Sequence, residues 1–221
     1  MKCLCRALLT LVLAVGFPCL AQGPETGEVT SDLKIRVLAF NYARVLPGIL
    51  ARAKSQTTTV FRKIGVGLLW VNCLPPSAGV STDPACGLPT DSTTLTLNLH
   101  TRFKRTADMI LADNDMGYAL LSGDRAGAAY SVTEHLAESG ADRPQILGYV
   151  MAHEIGHLLL GSIQHSDSGI MRAVWRVKDL KAAGRGDLLF TVPQAEQIRA
   201  NVVERMMQHK ARPVASVDSA H

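Results

Sequence analysis

Apolar and polar positions change period several times along the chain, and each change marks an element. Ile35 to Phe40 alternates and is rich in β formers, which predicts a first strand. Val45 to Ile64 reads as mostly helical, starting near Pro47, with Ile49, Leu50, Ala53, Val60 and Phe61 on one face. The β-branched run Thr57-Thr58-Thr59 works against that helix. Val66 to Val71 is a continuous apolar run and predicts a buried strand. Thr94 to Phe103 alternates Leu95, Leu97 and Leu99 with Thr and Asn, the pattern of a half-buried strand. Asp113 to Leu121 predicts a short edge strand, Ser122-Gly123-Asp124 a turn, and Gly127 to Val132 a final strand.

From Pro144 to Leu160 the period becomes helical, and Ile146, Leu147, Val150, Met151, Ile155, Leu158 and Leu159 make a wide apolar face. Asp142 suits the N-cap, Pro144 the first turn and Gly161 a left-handed stop. Val174 to Ala183 and Pro193 to Gln208 predict two further helices. In the second, Ile198, Val202, Val203 and Met206 form a stripe expected to pack into the core. The order of strand, helix, four strands and helix implies an α/β fold. Its sheet is mixed and mostly parallel, with a long first helix, and a small helical C-terminal subdomain follows.

The N-terminus changes the picture of where the protein works. Lys2 and Arg6 precede a largely apolar run from Ala7 to Phe17, and Cys19-Leu20-Ala21 offers small residues for cleavage after Ala21. A segment of eleven residues is too short to span a bilayer. Residues 1–21 are therefore expected to be a cleaved signal peptide, 22–32 a linker, 33–209 one domain and 210–221 a loose tail. The mature protein is expected to be secreted or periplasmic, monomeric and without a membrane anchor. It would retain two cysteines, Cys73 and Cys86, which in an oxidising compartment predict a disulfide. Closing the Pro- and Gly-rich loop between them contributes on the order of 3 kcal/mol in the chain-entropy model. With Lys2 and Arg6 gone, 21 basic residues face 19 acidic ones, a balance that predicts no nucleic-acid partner.

The chemistry is concentrated in His153-Glu154-Ile155-Gly156-His157. Two histidines four apart on a helix share one face, one turn apart. That spacing lets two imidazoles hold one Zn²⁺ ion, with Glu154 placed to act on a water there. A catalytic zinc takes three protein ligands and keeps one position open. His165 is the nearest further donor, and Asp167 and Glu196 are the alternatives by ligand type and reach. Tyr130 is a conceivable donor to an oxyanion, although a tyrosine on a buried strand is more often core.

This run, with Gly161, His165-Ser166 and Gly169-Ile170-Met171, resembles the metzincin metallopeptidases, most closely their matrixin-like branch. The family pattern is HExxHxxGxxH followed by a methionine turn. The resemblance implies a zinc site of His153, His157 and His165, Glu154 as general base and Met171 as the turn methionine. It also implies a secreted endopeptidase acting on peptides or proteins. The element order is that of the metzincin upper subdomain. The chain departs in spacing: Gly161 falls four residues after His157 and His165 eight after, two more than the family, and the stretch from His165 to Met171 is shorter by two. Two other functions remain open: a non-catalytic zinc-binding protein of this fold, and a gluzincin-type peptidase with Glu196 as third ligand.

Overall fold

The computed structural model describes residues 32–87, 90–103, 116–137 and 142–211. The expected signal peptide, its cleavage point, residues 113–115 of the edge-strand segment and nearly all of the tail lie outside these residues. The strands are β1 (Leu33–Asn41), β2 (Val66–Cys73), β3 (Thr94–His100), β4 (Gly117–Leu120) and β5 (Arg125–Ala129). The helices are α1 (Pro47–Arg62), α2 (Tyr130–Ala137), α3 (Arg143–Leu160), α4 (Val177–Arg185) and α5 (Val192–Ala211). The sheet has the order β2-β1-β3-β5-β4. Neighbours run parallel except β4, which lies antiparallel on β5 at the edge. This is the mixed, mostly parallel α/β sheet that the order of elements implied.

Alternation places the core on the face that carries the helices. Ile35 and Val37 of β1 and Leu95, Leu97 and Leu99 of β3 are fully buried there, packed in one cluster with Phe61 of α1 and with Ile146, Val150 and Ile155 of α3. Ile198 and Val202 of α5 and Leu180 and Ala183 of α4 belong to the same cluster, so the C-terminal helices share the core of the sheet. Val203 and Met206 of the expected stripe are only partly buried. The apolar run of β2 is not buried throughout: β2 is an edge strand, and Leu69 is 49% exposed.

α1 forms despite its three threonines because their hydroxyls find partners. The Thr57 hydroxyl lies 2.9 Å from both the Ala53 and the Gly148 carbonyl oxygens, the second a link from α1 to α3. Thr58 accepts from the Trp70 indole at 2.9 Å, and Thr59 donates to Ser55 at 3.0 Å. Gly148 lets the two helices approach, since a Cβ there would lie 2.7 Å from the Ala53 carbonyl.

Some boundaries differ from the sequence reading. The last strand begins at Arg125 and ends at Ala129, and Tyr130 opens α2 instead of continuing the strand. Its ladder partner runs out at that point, because His100 pairs with Ala129 and β3 ends there. Asp142 holds the N-cap position of α3 but makes no side-chain cap bond. Its carboxylate instead accepts from Arg52 at 2.9 Å. α4 starts at Val177, later than expected, where Asp179 accepts from the Arg176 N–H at 2.8 Å. Cys73 and Cys86 form the expected disulfide, with Cα atoms 5.6 Å apart. No helix among the described residues is long and apolar enough to cross a membrane.

Candidate metal centre

α3 passes through the core with its entire central stretch buried, so His153, Glu154 and His157 are only 1%, 3% and 4% exposed. The helix stops at Gly161, in the left-handed region at φ 65°. The Gly161 N–H bonds the Leu158 carbonyl at 3.3 Å and the Ser162 N–H bonds the His157 carbonyl at 3.2 Å, a Schellman stop. That stop folds the Ser162 peptide back over His157, whose Nδ1–H donates to the Ser162 carbonyl at 2.8 Å.

The second histidine is aimed by a different segment. The His153 Nδ1–H donates at 2.8 Å to the carbonyl of Ile170, which lies in the turn that carries Met171. The Ile170 N–H in turn bonds the Leu189 carbonyl at 2.9 Å. Gly169 enters this turn at φ 71°, and a Cβ there would stand 2.6 Å from the Leu189 carbonyl, so the close approach requires glycine. Met171 is fully buried beneath the helix, and a Cβ on Gly156 would lie 2.8 Å from its sulfur.

These two bonds determine which nitrogen is left over. A carbonyl oxygen only accepts, so each Nδ1 carries the ring proton and each Nε2 presents a lone pair. The two Nε2 atoms stand 3.1 Å apart. Burial, followed by the neighbouring His157 charge, pushes His153 down to about 3, and burial lowers His157 as well. Both rings are therefore neutral near pH 7, and two lone pairs face each other with no proton to share. A cation resolves that arrangement. The exposed His165 ring joins them, with centroids 5.3 Å from His153 and 4.9 Å from His157. One donor atom from each of the three histidines lies within 4.8 Å of the others. Three imidazoles, two of them oriented by carbonyls, suit Zn²⁺, and the cluster fits that ion.

Among the described residues, this trio is the one group of His, Cys, Asp or Glu side chains close enough to hold a metal. Asp167 and Glu196, the alternative ligands, are exposed and outside it. Tyr130 opens α2, half-buried against the core. Several contributors were not singled out from sequence: the carbonyls of Ser162 and Ile170, Trp175, and Gly117 of β4. A Cβ on Gly117 would lie 2.5 Å from the Glu154 carboxyl carbon, so the edge strand touches the Glu154 side chain where a larger residue could not. A glycine inside a strand pattern is the signal that could have found it.

The solved structures similar to this chain include two zinc peptidase-type proteins. One, a zinc-dependent peptidase from Methanocorpusculum labreanum, is 17% identical, with a TM-score of 0.49, covering 73% of this chain and 99% of that one. The other, an archaemetzincin from Methanopyrus kandleri, is 15% identical, with a TM-score of 0.48, covering 78% of this chain and 97% of that one. No family model matches the chain, and no curated protein matches it.

Proposed function

We propose that this protein is an exported zinc-dependent endopeptidase of the metzincin type. The observation that carries the proposal is the pair of Nε2 lone pairs 3.1 Å apart, with both Nδ1 atoms committed to carbonyls and His165 beside them. The HEIGH run and the buried Met171 turn support the same reading. His153, His157 and His165 are the ligands in this proposal. A zinc ion held there would acidify a bound water towards neutrality and polarise a scissile carbonyl.

Glu154 is the general base. It takes the proton of the attacking water and hands it to the departing amine, so one carboxylate serves both halves of the reaction. Its placement against Gly117 links the base to β4. β4 ends the sheet, so a peptide substrate can add to it as a further strand through main-chain bonds. A substrate-analogue complex with the peptide lying elsewhere would remove this part of the proposal.

Export rests on the N-terminal pattern, with the mature chain beginning at Gln22 and working as a monomer outside the cytoplasm. N-terminal sequencing of exported protein tests the cleavage point, and recovery of Met1 would overturn it. The function itself is tested by metal analysis joined to turnover of a mixed peptide library. One zinc per chain with internal cleavage is the expected result. Zinc without cleavage would establish the non-catalytic alternative.

A further inference from the structure

Trp175 lies four residues beyond Met171, outside every segment that the histidine spacing points to, and is only 6% exposed. A buried indole N–H needs an acceptor. Here it donates at 3.1 Å to the Ile170 carbonyl, the same oxygen that accepts from His153 Nδ1 at 2.8 Å. A carbonyl has two lone pairs and can serve both donors. The Trp175 ring stands edge-on to the His153 ring, with centroids 6.1 Å apart, and edge-on to Tyr149 at 6.4 Å.

The geometry points to Trp175 as a positioning residue of the metal centre: it fixes the Ile170 carbonyl that aims His153, and so sets how tightly the ion is held. The Ile170 residue is pinned at both ends, its N–H on Leu189 and its carbonyl under Trp175. Gly169, just upstream, leaves a permissive torsion in the turn, so the aim of the carbonyl depends on those bonds. The indole therefore acts on the ion through two hydrogen bonds in series, without touching it. This inference rests on the zinc reading above.

The test is a competition titration of the full chain with Zn²⁺ against a chromophoric chelator, joined to the visible spectrum of the Co²⁺-loaded protein. Trp175→Phe keeps a ring and removes the N–H. It should weaken zinc roughly 10–100-fold, the usual cost of losing a group that orients a ligand, and should shift the cobalt bands. Loosened packing alone would lower the melting temperature without moving those bands. A second arm replaces Trp175 by 3-benzothienylalanine in a Trp70→Phe background, a substitution of nearly the same shape with sulfur in place of N–H. The same loss of affinity is expected there, measured against Trp70→Phe. Affinity within twofold of the reference and unchanged cobalt bands, in either arm that folds, would overturn the role of Trp175. A parent chain that bound no Zn²⁺ would overturn the metal reading itself, and this inference with it.

Discussion

α1 and α3 lie on the same face of the sheet and pack against each other, yet they bury polar groups in opposite ways. On α1, Thr57 is enclosed by two carbonyls, and Lys54 is held between the Asn72 side-chain oxygen and the Trp70 ring, whose centroid is 5.1 Å from its nitrogen. Each group faces partners of complementary character. On α3, the Nδ1 ends of His153 and His157 are satisfied and their Nε2 ends are turned on each other. Buried polar groups matched on every side belong to the architecture. Buried groups matched on one side and opposed on the other mark a place prepared for something else.

The largest effect that separates the two helices should come from Glu154→Gln. Peptide turnover should fall by roughly 10³-fold, within the range a positioned general base contributes, while metal analysis still finds one zinc. Equal activity in parent and variant would take the chemistry away from α3. Next comes the ligand set. His165→Ala should weaken zinc more than about 100-fold, beyond the usual cost of an outer-shell change, and Asp167→Ala should leave it within a few-fold. A chelator competition assay that found the reverse order would hand the third position to Asp167.

A pH series on chelator-treated protein sharpens the contrast further. His153 is pushed down to about 3 when folded, against about 6.5 in the unfolded chain. Between those values the unfolded state holds a proton that the folded state lacks, so stability should fall as pH drops from about 6.5. His153→Leu should flatten that fall in a thermal melt. Lys54 obeys the same sign in another window, since burial pushes it down to about 8 from 10.5. Its contribution should improve as pH rises through that interval, and Lys54→Met should remove the dependence. The smallest effect is Thr57→Val, expected to cost about 1 kcal/mol in urea unfolding with zinc affinity unchanged. A loss of zinc binding in that variant would dissolve the distinction between the two helices.

Most of the frame was legible because its signals are local. Alternation in Leu95, Leu97 and Leu99, the 3.6-residue period of α3 and the two histidines four apart each rest on near neighbours in sequence. Boundaries were less legible where a distant partner decides them. Nothing in Ser131-Val132-Thr133 announces a helix; Val132 and Thr133 are β formers, and α2 begins where β3 has no residue left to pair with. Asp142 takes the N-cap position that the sequence suggested, but the missing cap bond could not be foreseen, since Arg52, ninety positions away, engages its carboxylate. The three histidines that come together could be seen in the chain, but the groups that aim two of them could not. Those groups are backbone carbonyls, which every residue has, and their selection depends on a stop at Gly161 and a turn at Gly169.

The Schellman stop makes the length of α3 part of its chemistry. A single residue inserted or deleted between His157 and Gly161 would rotate the stop by about 100° and shift it by about 1.5 Å along the axis. The Ser162 peptide could then no longer cap His157 at both its carbonyl and its ring. Most helix ends tolerate such indels by fraying or by lengthening the next loop. At this end an indel would change how the His157 ring is aimed, although no histidine has been replaced.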